Sequence, residues 1–177
     1  MSENIHVLYS EEQVNARIRE LGAAVSAALN GEPVHLICIL KGASFFACEL
    51  AKRITVPVYM DFMCVSSYGN GTESSGEVRI VKDLDAPVEG EHVLIAEDII
   101  DSGNTLHFLL DEFQKRGAAD VRICALLSKP GRRQVEVPAD YIGYVIPDVF
   151  VVGYGLDYAQ KYRNLPYIGV IDELILP

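Results

Sequence analysis

The chain is expected to fold as an α/β protein whose mostly parallel sheet is covered by helices on both faces, and three observations predict this. Short apolar runs such as His35–Leu40 and Val93–Ala96 lack the alternation of a half-exposed strand, which is how a parallel strand buried on both faces reads in sequence. Segments with apolar residues at helical spacing separate these runs, and strand-helix alternation favours parallel pairing with right-handed crossovers. At 177 residues and 50% hydrophobic content, the chain can bury one full core but is short for two ordinary domains.

Each element has a local cause. Ser10 with Gln13 makes a capping box, and Val14, Ile18, Leu21, Val25 and Leu29 follow at helical spacing until Gly31. His35–Leu40 is a buried strand, ended by Lys41-Gly42 and followed by a helix from about Ala43 to Arg53. Strands are expected near Val58–Val65 and Val78–Lys82. Between them Ser66 to Val78, SSYGNGTESSGEV, is polar and rich in Gly and Ser, so it reads either as a mobile lid or as an ordinary hairpin loop. After the strand Val93–Ala96, residues Leu106, Leu109, Leu110 and Phe113 line one face of a third helix that stops at Gly117. Val121–Leu127, Tyr141–Val145 and Tyr167–Ile171 complete the strands, and Pro130-Gly131 keeps the first of these from continuing.

The densest chemistry lies in Val93 to Thr105, VLIAEDIIDSGNT. Glu97 and Asp98 fall at the carboxyl end of an apolar strand, where open α/β sheets gather ligands, and two carboxylates there can accept hydrogen bonds from vicinal hydroxyls such as those of a ribose. Gly103 lets the backbone close around a ligand, while Ser102, Asn104 and Thr105 turn amides and hydroxyls into one concavity at a helix N-terminus, a setting that favours phosphate. On spacing alone DSG is also a common turn, and Glu97 and Asp98 also fit a solvated strand end.

Charge and cysteines exclude some classes. A formal net charge of −10 argues against broad binding to nucleic acid or an anionic membrane, so anionic substrates must be held locally by Lys, Arg, backbone amides and Mg²⁺. Cys38, Cys48, Cys64 and Cys124 show no metal-ligand spacing and read as reduced packing residues, which points to a reducing cytosol. MSENIHVLYSEEQ has neither a basic n-region nor an apolar h-region, and no stretch approaches a bilayer span, so export and membrane insertion are not expected.

The strand, paired acids and DSGNT turn resemble the phosphoribosyl pyrophosphate motif of type I phosphoribosyltransferases. From about Ile5 to Ile171 the chain resembles the hypoxanthine phosphoribosyltransferases of purine salvage, with matching segments in the same order. That resemblance implies a three-layer type I fold, one domain spanning 1–177, with a core over about 10–145 and a small hood built from the N-terminal segment and about 146–177. It implies Mg²⁺-dependent transfer of the 5-phosphoribosyl group from phosphoribosyl pyrophosphate to N9 of hypoxanthine, and of guanine, giving IMP or GMP and pyrophosphate, by a cytoplasmic homodimer or homotetramer. Asn104 stands where eukaryotic relatives commonly carry Lys, which is similar to the bacterial branch and leaves the guanine preference open.

Residue roles follow from the resemblance. Glu97, Asp98, Ser102, Gly103, Asn104 and Thr105 would hold the phosphoribosyl group, with Asp101 as the base at purine N7. Lys41 and Gly42 form the pyrophosphate loop, whose Lys-Gly peptide can be cis in relatives. Ser67 and Tyr68 would close over the pyrophosphate from the lid, excluding water, and Arg163 would neutralise it. Lys129 would donate to the purine 6-oxo group, Phe150 would stack on the ring, and Val151 would offer backbone groups to its edge. Asp157, with Glu97 and Asp98, would approach the Mg²⁺ directly or through waters. Two other readings compete with this one. A regulator that senses phosphoribosyl pyrophosphate would need a basic face for nucleic acid, which this acidic chain lacks. A xanthine- or guanine-preferring enzyme depends on pocket shape that one sequence does not fix.

Overall fold

A computed structural model describes residues 4–68 and 77–171, apart from the side chains of Ser67, Tyr68 and Glu77. Its centre is a six-stranded sheet built from β2 (Val34–Leu40), β3 (Val58–Tyr68), β4 (Glu77–Lys82), β5 (His92–Ile100), β6 (Asp120–Ser128) and β7 (Tyr141–Val145). Their order is β4-β3-β2-β5-β6-β7, parallel throughout except for the β3/β4 pair. A second sheet of three strands, in the order β1-β9-β8, joins β1 (Ile5–Tyr9), β8 (Val151–Val152) and β9 (Ile168–Ile171), so it draws on both ends of the chain.

Period-two alternation within the strands feeds two cores. Leu36 and Cys38 of β2, Leu94 and Ala96 of β5, and Cys124 and Leu126 of β6 face α1 (Glu11–Leu29) and α2 (Ser44–Ala51), burying Val14, Ile18, Leu21, Val25, Leu29, Phe46 and Leu50. Ile37, Ile39, Val93, Ile95, Ile123 and Ala125 face the other way, onto Leu106, Leu109 and Phe113 of α3 (Asn104–Lys115). Leu110, placed on that face by the spacing, is only half-buried. Val151, Tyr154, Leu156 and Ile168 join the α1/α2 core, tying the small sheet to the large one. The Tyr9–Tyr144 stack, with centroids 3.9 Å apart, adds a second tie.

Local signals account for the helix ends. Ser10 Oγ accepts from Gln13 N while Ser10 N donates to the Gln13 side chain, the reciprocal box expected from sequence. Asn30 closes α1 in the left-handed region, at φ 49°. Among the described residues no helix is long and apolar enough to cross a membrane.

Several expectations need correction. β5 does not stop at Ala96 but runs to Ile100, because β6 keeps pairing past that point, with Glu97 opposite Ala125 and Ile100 opposite Ser128. The acids are therefore inside the last turn of the strand's pairing rather than beyond it. β3 and β4 likewise extend to Tyr68 and back to Glu77, Ser67 pairing with Val78 and Tyr68 with Glu77, so the ends of the expected lid form an antiparallel hairpin. The lid's centre, 69–76, lies outside the described residues. β1 and β8 were not anticipated: each is short and is stabilised by β9 rather than by its own pattern. The cis peptide lies between Leu40 and Lys41, one bond before the Lys41–Gly42 peptide considered from sequence. Of the four cysteines, Cys38 and Cys124 are buried, but Cys48 is exposed on the outer face of α2, so it is not a packing residue. Burial pushes the Cys38 thiol up to about 12.

Candidate active site

The carboxyl ends of β2 and β5, the central strands, bring the first group of residues together. A cavity of about 310 Å³ is lined by Lys41, Gly42, Glu97, Asp98, Thr105, Asp157, Gln160 and Arg163. A smaller cup of about 90 Å³ adjoins it, lined by Asp101, Ser102, Gly103 and Leu106, and the two share Glu97 and Thr105. A larger cavity, about 620 Å³, lies instead between α1, α2 and Tyr154 and is lined by no residue expected to act. Size is a poor guide here, because a polyphosphate site is shallow and polar whereas that groove is a gap between two helices.

Glu97 and Asp98 form the floor. Burial, and then the Asp98 charge beside it, hold the Glu97 carboxyl well above the usual carboxylate range. Burial also raises Asp98, against a hydrogen bond with Glu97, the Ile99 N–H that donates to its Oδ1 at 2.8 Å, and the Arg163 charge. Glu97 Oε2 is buried without a hydrogen-bond partner. A buried acceptor left open this way costs about 1–3 kcal/mol unless something donates to it, as a ribose hydroxyl can. Gly42 presses on this floor: a Cβ there would stand 1.7 Å from Asp98 Oδ2. Gly155, at φ +100°, packs on the other side of Gly42, where a Cβ would stand 1.9 Å from the Gly42 carbonyl. Only glycine fits either position.

The cup has the features of an anion cradle. Gly103 caps α3 at φ +89° with no side-chain hydrogen bond to the helix, so the amides of the first turn lack intrahelical partners. Asn104 N makes only a long bond to Ser102 Oγ, 3.4 Å, and Asn104 Nδ2 is turned to Gln134 Oε1 at 3.0 Å. The segment after β6 shapes the cup from outside, Gln134 N and Val135 N donating to Ser102 O at 2.9 and 3.1 Å.

Of the residues expected to meet pyrophosphate, Arg163 is held by its own loop, Nη1 donating to Gly155 O at 2.7 Å and Nη2 pairing with Asp157 Oδ1 at 2.7 Å. Asp157 Oδ2 accepts from Gln160 N at 2.8 Å, so both its oxygens are engaged. Gln160 was missed by sequence reasoning. Its Oε1 accepts from Lys41 Nζ at 3.4 Å and from Arg163 Nη2 at 3.3 Å, between the two cations assigned to pyrophosphate. No sequence signal marks it, since an uncharged side chain in a loop carries none of its own and its partners are Lys41 and Arg163. Ser67 and Tyr68 are described only in backbone, and their side chains lie outside the described residues.

Of the residues expected to meet the purine, Lys129 is 8% exposed, with Nζ 3.7 Å from Asp148 Oδ1. Phe150 keeps 42% of its surface and meets Tyr158 edge-on at 5.7 Å. Val151 lies in the edge strand β8, opposite Val170. Asp101 Oδ1 stands 2.9 Å from Arg132 Nε in an ion pair that is not an aligned hydrogen bond, since that buried oxygen has no hydrogen-bonded partner. Arg133 secures the same turn by its main chain, donating to Asp101 O at 2.8 Å and to Ser128 Oγ at 2.9 Å.

Divalent-metal chemistry fits this donor set. Among the described residues no group of three or more His, Cys, Asp or Glu could hold an ion alone. Mg²⁺ prefers one or two carboxylates completed by waters and substrate phosphate oxygens, and Glu97, Asp98 and Asp157 line one cavity wide enough for such a ligand.

Comparison with known proteins gives the same direction. The phosphoribosyl transferase domain family matches residues 6–159. A bifunctional protein TilS/HprT of Listeria innocua is 56% identical over 93% of the chain, which spans only 26% of that relative's length. The hypoxanthine-guanine phosphoribosyltransferase of Bacillus subtilis is 53% identical over 96% of the chain and 94% of its own length. A crystal structure of a hypoxanthine phosphoribosyltransferase from Staphylococcus aureus superposes with a TM-score of 0.91 at 48% identity, covering 94% of this chain and 90% of that one.

Proposed function

We propose that this chain, which belongs to the phosphoribosyl transferase domain family, is a purine-salvage enzyme that moves the 5-phosphoribosyl group of phosphoribosyl pyrophosphate to N9 of hypoxanthine and guanine, forming IMP or GMP and pyrophosphate. The observation that carries the reading is a pair of adjoining cavities in which an acid floor, an amide cup and two cations come together, with Asp101 lining the cup and linked through Arg132 and Asp148 to Lys129.

Glu97 and Asp98 accept the ribose hydroxyls, and the cup of Ser102 to Thr105 takes the 5-phosphate. Lys41, the Gly42 backbone and Arg163 take the pyrophosphate, with Ser67 and Tyr68 closing over it. As the bond at C1 breaks, positive charge grows on the sugar and negative charge on the leaving group, so fixed charges on both sides lower the barrier. Asp101 accepts the N7 proton of the purine, raising electron density in the attacking ring. Lys129 donates to the 6-oxo group and so rejects adenine, which presents an amino donor there. Asp157, Glu97 and Asp98 would hold Mg²⁺ together with substrate oxygens, and the ion would supply charge neutralisation for the pyrophosphate. The chain works as one domain with the small sheet as a hood, in the cytoplasm, as a homodimer or homotetramer.

The test mixes purified protein with phosphoribosyl pyrophosphate, hypoxanthine and Mg²⁺ and follows IMP and pyrophosphate together. Equal amounts of both are expected, abolished by a chelator and restored by added Mg²⁺, with Asp101→Asn slowed about 100-fold or more. If phosphoribosyl pyrophosphate binds but no product forms, the chain is a sensor rather than an enzyme; full turnover by Asp101→Asn removes only that residue's role.

A further inference from the structure

Asp101 and Asp148 reach the purine side from different segments, the turn after β5 and the turn before β8, and one side chain touches both. Arg132, in the short 3-10 turn Pro130–Arg132, sets Nε 2.9 Å from Asp101 Oδ1 and donates through Nη1 to Asp148 Oδ2 at 3.3 Å. Across Asp148, its Oδ1 lies 3.7 Å from Lys129 Nζ. The four side chains alternate in charge, Asp101, Arg132, Asp148, Lys129, and the two ends are the groups assigned to N7 and the 6-oxo oxygen of the base.

Resting on the salvage-enzyme reading above, we propose that Arg132 is a positioning residue for the purine: its guanidinium fork bridges Asp101 to the Asp148–Lys129 pair and fixes the spacing of the two groups that read the base. Two features of the contact suit that task. The fork is planar and rigid, so pairing with Asp101 through Nε while hydrogen-bonding Asp148 through Nη1 sets an angle as well as a distance between the two carboxylates. Its approach to Asp101 is a close ion pair, Nε to Oδ1 at 2.9 Å, which holds the carboxylate against the fork. The neighbouring Arg133 has the complementary job, since it donates to the Asp101 main-chain oxygen and to Ser128 Oγ and thus secures the turn itself. Losing Arg132 therefore frees the two side chains but not the phosphate cup.

Steady-state kinetics on Arg132→Ala and Arg132→Lys, beside the intact protein, test this. Arg132→Ala is expected to raise the KM for hypoxanthine about tenfold, within the ~100-fold that a misplacement of about 1 Å can cost. Its calorimetric Kd for phosphoribosyl pyrophosphate should stay within about twofold, and its Tm within about 2 °C, because exposed ion pairs add little to stability. Arg132→Lys keeps the charge but cannot span both carboxylates, so most of the KM rise should remain. An unchanged hypoxanthine KM in Arg132→Ala overturns the proposal, as does full rescue by lysine, which would make charge alone sufficient, or a parallel loss of phosphoribosyl pyrophosphate binding, which would make Arg132 a scaffold of the turn. If the intact protein turns over no purine, the salvage reading fails first and the bridge falls with it.

Discussion

Glu97 is the residue whose environment is most at odds with its chemistry, a carboxylate pushed into a floor beside a second acid with one oxygen unpartnered. Its folded-state value lies above the 4.5 of the free side chain, so between pH 4.5 and that raised value the folded protein binds more protons than the unfolded chain. Stability contributed by this group is thus greatest at low pH and falls as pH rises through the window. Glu97→Gln removes the buried charge and should stabilise the ligand-free protein at pH 8 by about 1 kcal/mol, ~2–4 °C in Tm, with the gain shrinking toward pH 4.5, while slowing transfer. Thermal scans at the two pH values decide it, and an equal Tm difference at both would show that Glu97 is not strained by charge. In sequence the pair was expected to form a ribose site from its place at the end of an apolar strand, and the structure puts both acids in one cavity with Lys41, Asp157 and Arg163. Gln160 and Arg132 were not anticipated, because their importance comes from which distant residues they meet: Lys41 and Arg163 for one, Asp101 and Asp148 for the other.

Among the elements, the junction of β2 and α2 shows how backbone rather than side chain builds the site. A Cβ on Gly42 would meet Asp98 Oδ2 and a Cβ on Gly155 would meet the Gly42 carbonyl, so the loop of Lys41, the strand end of β5 and the loop before Arg163 form a single stack. Gly42→Ala should leave secondary structure intact by circular dichroism yet lower kcat/KM about 100-fold, chiefly through weaker phosphoribosyl pyrophosphate binding, since the Asp98 carboxyl of the floor must shift. Near-normal kinetics in that variant would mean the stack is dispensable. Helices were read well from sequence because capping and spacing are local: Ser10, Gln13 and Leu29 bounded α1, and Leu106 to Phe113 gave the buried face of α3. Strand ends were read poorly because pairing is not local. Glu97 to Ile100 extend β5 only because Ala125 to Ser128 lie alongside, and β8 exists only because β9 returns past it.

At the scale of the whole molecule, an acidic protein with a formal charge of −10 that binds polyanions, as proposed, would do so by concentrating amides and cations at one sheet edge, which two cores on opposite faces of the sheet support. The parallel sheet was legible from the alternation of buried runs and helices. The second sheet was not, since it joins residues near 5 to residues near 170 and so depends on the completed fold. What unites the scales is the claim that this edge performs phosphoribosyl transfer to a 6-oxopurine, and competing bases test it most directly. With phosphoribosyl pyrophosphate and Mg²⁺ fixed, kcat/KM should be measured for hypoxanthine, guanine, xanthine and adenine. The account predicts nucleotide from hypoxanthine at least about a thousandfold faster than from adenine, the scale of discrimination set by a buried donor left unpaired. Equal use of adenine, or no nucleotide from any base, would contradict it.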